Sequence, residues 1–289
     1  KQILNLRKAM QILRQKHFSG ERALFGAKDM RIENSVFGEG ESPLKHSANI
    51  VAQNCKFEWK YPFWYAENIR AQDCLFDEVA RAGIWYSRGV VLKDCLYGAP
   101  KGLRRVKDAA LQNVEFHDAQ ETLWHCSDVT LKNVTAKGAY FGLDCENLSI
   151  ENLSLFGDYC FDGCRNVTIK NSKLLSKDAF WNCENILIED CFIAGEYFGW
   201  NSKNVTLRNC KIESLQGFCY IQNLRLQDCE LINTTLAFEY SDVRAEVKGA
   251  IDSVKNPSSG LIRAASIGEL ILDGATDASK TEIITELRA

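Results

Sequence analysis

Arg105, His125 and Asp144 stand 20 and 19 residues apart, so a chain that winds with that period would stack them. An arginine can grip a carboxylate or phosphate with its planar fork, while histidine and aspartate can exchange protons with a sugar hydroxyl or a glycosidic oxygen. The same count continues through Tyr65, Tyr86, Gly163, Asn182, Asn201, Tyr220 and Glu239, nearly all hydrogen-bonding groups. One residue earlier the column reads Trp64, Trp85, Arg104, Trp124, Leu143, Asp162, Trp181, Trp200, Cys219 and Phe238, which gathers five of the 6 tryptophans in one phase. Asp162 is a carboxylate in a mostly large and apolar column; burial there would raise its pKa and make it a candidate acid. Asp158, Asp178 and Glu121 lie near the same edge and are candidates for the second carboxylate of a glycosidase pair.

What must position these residues is a repeat. Its clearest copies are NLSIENLSL from Asn147, NVTIKNSKL from Asn166, NILIEDCFI from Asn185, NVTLRNCKI from Asn204 and NLRLQDCEL from Asn223; weaker copies open at Asp29, Asn49, Asn68, Gly89, Asp108 and Asp128. Apolar and polar residues alternate within each copy, as in Val205 and Leu207 around Thr206, which marks a strand with one face in and one out. Nineteen to 21 residues leave no room for a crossover helix, so the expected fold is all-β: a single parallel β-helix of about 11 to 13 coils, spaced ~4.8 Å apart. A second Asn/Asp column, from Asn34 and Asn54 to Asn209 and Asp228, reads as a ladder of corner residues, because Asn and Asp tolerate the left-handed backbone.

Strict alternation places the tryptophan phase beside a column of small cysteines, and so favours an internal aromatic stack. If the chain bends there instead, the rings line a groove, with Gly142 and Gly199 leaving room for a ligand. The 12 cysteines fall mainly into two inward phases, Cys55, Cys74, Cys95, Cys191, Cys210 and Cys229 in one and Cys126, Cys145, Cys164 and Cys183 in the other. Such stacks behave as small apolar core residues, which predicts reduced thiols and a cytoplasmic protein. His117 and His46 read as exposed loop residues.

The net charge of −3 is spread along outward positions, which argues against a nucleic-acid groove, and no run approaches the 18 or so apolar residues that span a bilayer. There is no metal-ligand spacing, phosphate loop, dinucleotide fingerprint or nucleophile elbow, so neither metal nor cofactor is expected. Ile3, Leu6, Met10 and Leu13 sit at helical spacing. The chain therefore divides into an N-terminal capping helix in residues 1–20, coils over 21–274 and a tail over 275–289 that either caps the last coil or pairs subunits.

The segments FSGERALFGAKDMRIENSVFGEGESPLKHS, ARAGIWYS, ETLWHC, SKDAFWN, GEYFGWNSKN, LAFEYSDV and IDSVKNPSSG resemble the bacterial family known as domain of unknown function 3737, over nearly everything from Phe18 to about Gly274. That resemblance implies a right-handed, pectate-lyase-like β-helix in a cytoplasmic bacterial protein. It implies no activity and assigns no catalytic residue. The residues themselves suggest a glycan hydrolase or lyase, in which Arg105 binds an acidic group, His125 and Asp144 move protons and Asp162 is acid or nucleophile. Tyr65, Trp85, Tyr86, Trp124, Asn182, Trp200 and Asn201 would line the groove. The alternative is a glycan-binding or protein-interaction solenoid without catalysis.

Overall fold

A computed structural model describes residues 10–286. The chain winds as a parallel β-solenoid of about 14 turns with almost no helix. One ladder runs its length: Met30 pairs with Ile50, Ile50 with Ile69, and so on through Val167, Ile186 and Val205 to Val243 and Gly260. A typical coil contributes the strand Arg165–Lys170, a corner at Asn171 and the strand Lys173–Leu175, with Val167, Ile169, Ser172 and Leu174 buried. The alternating sequence thus becomes an alternating burial pattern.

Turns beyond those the repeats count come from the ends, where the motif fades but the pairing does not. The expected capping helix is overturned where it can be checked, because Gln11–Arg14 and His17–Phe18 are strands that pair with Met30–Glu33 and Val36–Phe37. Edge pairing wins over a helical spacing that only four apolar residues supported. The remainder of that expectation, residues 1–9, lies outside the described residues. Near the C-terminus, Thr281–Thr285 continues the ladder on Ser259–Ala264.

Two corners are held by amide ladders. At one, Asn54 donates to Asn34 at 2.8 Å, Asn113 to Asp94 at 2.6 Å and Asn133 to Asn113 at 2.9 Å; at the other, Asn166 donates to Asn147 at 3.1 Å and Asn185 to Asn166 at 3.0 Å. Their φ values lie near +55°, as for Asn166 at 56°, so the side-chain bonds accompany the left-handed backbone that Asn tolerates.

The internal aromatic stack is made of phenylalanine, not tryptophan. Phe18, Phe37, Phe57, Phe76 and Tyr97 follow one another at 4.8, 4.8, 4.7 and 4.6 Å between ring centres. Burial pushes the Tyr97 phenol up. Its hydroxyl occupies space that Gly83 leaves free: a Cβ there would fall 1.9 Å from the oxygen. Gly83→Ala is therefore expected to cost about 1–3 kcal/mol by overpacking. Tyr97→Phe should recover most of that loss, as read from urea midpoints. A double variant no more stable than Gly83→Ala alone would refute this packing account.

All 12 cysteines are free and buried. Most of their Sγ atoms face backbone carbonyls, as Cys164 does Gly142 O at 2.8 Å and Cys183 does Phe161 O at 2.8 Å. Burial pushes the Cys160 thiol up to about 12, which leaves little of the nucleophilic thiolate at neutral pH. Native protein should leave Ellman's reagent essentially colourless, and all 12 thiols should titrate after denaturation. Several fast-reacting thiols in the native state would overturn the core assignment.

Candidate functional site

Each coil crosses one face of the solenoid in a short segment bounded by two left-handed residues. Residues 61–65 illustrate it: Tyr61 (φ 60°) and Tyr65 (φ 53°) form the corners, Phe63 points in and Trp64 lies half-buried at the surface. This corrects the internal tryptophan stack, and the cause is local. Trp124 and Cys126 are two apart, yet the left-handed His125 between them (φ 53°) breaks the period-two alternation, so Cys126 turns in while Trp124 stays at the surface.

Four of the indoles share one hydrogen-bonding pattern. Nε1 of Trp64, Trp85, Trp124 and Trp181 donates to the carbonyls of Ala82, Lys101, Tyr140 and Tyr197 in the following coil, at 2.6, 2.8, 2.7 and 2.8 Å. This bond sets the ring planes across the rod, with their faces along it. Trp64 and Trp85 accordingly stack at 5.2 Å with 4° between planes. Arg104 fills the next rung, its guanidinium 4.5 Å from the Trp85 ring centre and 4.4 Å from that of Trp124, while Nη2 meets Glu121 at 3.2 Å. A desolvated cation between two indole faces is strongly held. Leu143 and Asp162 then replace indoles before Trp181 and Trp200, which leaves a notch in the column.

Beside it runs the second predicted column. His46, Tyr65 and Tyr86 stack at 5.2 and 4.9 Å. Next come Arg105, His125 and Asp144 on consecutive rungs, each backbone N–H donating at 2.8 Å to the following coil, at Trp124, Leu143 and Asp162. His125 Nδ1 lies 3.5 Å from Asp144 Oδ2. Asp144 leans over the next rung, where Gly163 makes room: a Cβ on Gly163 would fall 2.2 Å from Asp144 Oδ1. Asn182 donates to Asp162 at 3.0 Å and Asn201 to Asn182 at 2.9 Å. Arg105, His125, Asp144, Asp162, Tyr65, Trp85, Tyr86, Trp124, Asn182, Trp200 and Asn201 thus border one continuous face.

Asp162 is half-buried at the surface, so the burial expected for it inside a core column is absent. Glu121 is already occupied by Arg104 and by Lys101 at 3.4 Å. The polar column ends in Tyr240 and not Glu239, because Tyr220 N–H donates to Glu239 O and Tyr240 N–H to Asn256 O. Glu239 instead continues the tryptophan column, buried and paired with Lys255 at 2.8 Å, while Phe238 packs in the core. His46 belongs to the column too, and counting back three residues from Asn49 would have found it. His117 is exposed and meets Glu115 at 3.0 Å.

Sequence reasoning missed the opposite corner, where Tyr61, Tyr140, Tyr159 and Tyr197 flank the indoles. Tyr140 and Tyr159 stack at 4.8 Å. The signal was a tyrosine four residues before a member of the polar column. Burial, then the charges of Asp158 and Glu196, hold the Asp178 carboxyl above its usual range; the Asp178 charge in turn raises the Tyr159 phenol. Recesses of about 360 and 550 Å³ lie on strand faces elsewhere, lined for example by Val51 and Val91 and by Leu75 and Leu96, while Tyr65, Tyr86, Tyr140 and Tyr159 of the candidate face are exposed. Among the described residues no group of three His, Cys, Asp or Glu is placed to hold a metal, and no helix is long and apolar enough to cross a membrane.

Winding and face together define a parallel β-solenoid with an external ribbon of aromatic and polar rungs. The chain belongs to the family described as "Protein of unknown function (DUF3737)", whose sequence profile matches residues 11–284. No curated protein matches it. Among solved structures it is similar to a mannuronic acid specific polysaccharide family 6 lyase from human gut microbiota (10% identity, TM-score 0.42, covering 94% of this chain and 91% of that one). It is also similar to the A-module of the Azotobacter vinelandii mannuronan C-5 epimerase AlgE4 (8%, 0.31, 95% and 89%) and to QnrB1, a plasmid-mediated fluoroquinolone resistance protein (14%, 0.37, 68% and 93%). These likenesses concern the winding of the chain.

Proposed function

We propose that this protein is a carbohydrate-active enzyme that binds a glycan or sugar derivative on the aromatic face and cleaves it beside the notch. The observation that carries this reading is the succession Arg105, His125, Asp144 on adjacent rungs, with His125 and Asp144 3.5 Å apart, next to the open face of Trp124. Apolar ring faces suit the C–H faces of sugars, while the neighbouring polar rungs suit their hydroxyls. His125 and Asp144 would move protons, Asp162, oriented by Asn182, would serve as acid or nucleophile, and Arg105 would hold a substituent of the ligand. Tyr65, Tyr86, Trp85, Trp200 and Asn201 continue the same face to either side. A reducing compartment, the cytoplasm, fits the 12 free thiols.

A screen of oligosaccharides and sugar phosphates for thermal stabilisation, followed by chromatography of the stabilising compounds for products, tests the proposal. It expects at least one saccharide to be bound and shortened. A panel in which no saccharide raises the melting temperature would remove it. The openness of the face favours a second reading, a glycan-binding solenoid without catalysis, for which the same screen gives binding and no products.

A further inference from the structure

The notch says which part of a glycan is held, and with what charge. Trp124, Leu143, Asp162 and Trp181 occupy consecutive rungs, so the two indoles stand about 14 Å apart at ~4.8 Å per rung. Trp124 spends one face on Arg104, and Trp181 packs against Trp200 at 6.0 Å; their other faces look at each other across Leu143 and Asp162. Both rings are pinned by the same indole N–H bond to the next coil, which makes them fixed end walls. The stacked Tyr140 and Tyr159 close one flank, while Asp144 and Gly163 form the other. A polymer lying along the rod would have to climb over both indoles. One or two sugar rings fit between them.

Charge narrows the ligand further. Asp144 and Asp162 border the notch, Asp158 precedes Tyr159 in the chain, and Asp178 takes the rung after Tyr159 in the tyrosine column. The nearby lysine is committed, since Lys177 pairs with Glu196 at 3.3 Å. The Asp178 charge, which raises the Tyr159 phenol, adds to the same negative field. A carboxylate-bearing sugar would be repelled there, and an ammonium-bearing one attracted. Arg105 lies one rung outside, behind Trp124 and about 10 Å from Asp144 by the rung spacing, and so offsets this field only in part.

We infer that the notch between Trp124 and Trp181 binds the terminal one or two units of a non-acidic saccharide, with an amino sugar as the best match, and turns away uronates. This rests on the glycan reading above and deepens it. Elimination needs a carboxyl group beside the proton removed, so a non-acidic ligand leaves hydrolysis. In that step Asp162 gives a proton to the glycosidic oxygen as the C–O bond breaks. Water adds at the anomeric carbon and loses its proton to His125, which Asp144 holds at 3.5 Å, leaving a hemiacetal and an alcohol.

Calorimetric titration of the full chain with a glucosamine disaccharide, a glucose disaccharide, a mannuronate disaccharide and the hexamers of each tests it. The expected result is binding of the glucosamine or glucose disaccharide at least about tenfold tighter than the mannuronate one, with little gain on going to the hexamer. Trp124→Ala or Trp181→Ala should weaken that binding at least about tenfold, and Trp64→Ala should leave it nearly unchanged. Asp162→Asn should narrow the discrimination against mannuronate. Far-ultraviolet circular dichroism and melting temperature establish that each variant folds, and Trp124→Phe serves if the alanine variant does not. Equal or tighter binding of mannuronate, or affinity that climbs steadily with chain length, overturns this inference and leaves the glycan reading standing. If no saccharide binds, both are overturned.

Discussion

His125→Ala will lower turnover of the bound saccharide at least about 100-fold, since positioned proton transfer contributes roughly 10² to 10⁴ in rate. Binding should change little, because the imidazole edges the face and is not one of the indole walls. Asp144→Asn should have an effect of similar size, and the double variant should lose less than the product of the two, because Asp144 acts partly by holding His125 at 3.5 Å. Neither substitution should disturb the fold, since their side chains are 35% and 53% exposed. Undiminished turnover in both variants would sink the catalytic assignment. Unchanged binding with no turnover in the parent would establish the non-catalytic reading instead.

Gly195→Ala should be severely damaging, although its backbone is one that alanine adopts freely. A Cβ at Gly195 would fall 1.9 Å from the Ser176 carbonyl oxygen and 2.6 Å from its carbon, both backbone atoms of the adjacent coil. That coil cannot retreat cheaply, because Ser176 N–H donates to Ala194 O at 2.9 Å and the ladder on either side repeats the spacing. The expected loss is about 3 kcal/mol or more, the upper range for overpacking, or roughly 10 °C in melting temperature. A variant within about 1 kcal/mol of the parent in chemical denaturation would mean that the coils yield more than their pairing implies.

The solenoid was legible because one physical rule, burial of alternate residues, repeats with a fixed period. Val205, Leu207, Cys210 and Ile212 announce both the strand and its inward face, and all four are buried. The polar column was legible for the same reason, since a constant offset from the corner survives any error in the shape of the coil. The direction of Trp124 was not, because alternation holds only while the backbone stays extended. Reading past His125 required knowing that a histidine takes the left-handed conformation, for which its residue type gives little warning. Glu239 was misplaced because the segment from Tyr240 to Asp242 is one residue shorter than that from Tyr220 to Asn223. The N-terminal strand at Gln11–Arg14 was missed because Met10 and Leu13 also fit a helical spacing.

The amide ladders carry a consequence of their own. A carboxylate only accepts hydrogen bonds, so an aspartate in such a string has to be its first acceptor: Asn49 donates to Asp29, Asn113 to Asp94, Asn147 to Asp128 and Asn209 to Asp190. Every amide beyond that point is then compelled to face the same way, and turning one over would break its bonds on both sides. Each string that opens on an aspartate is therefore polarised from end to end in one fixed direction. The scattered choice between Asp and Asn along these corners, which looks like neutral drift, fixes where each string begins.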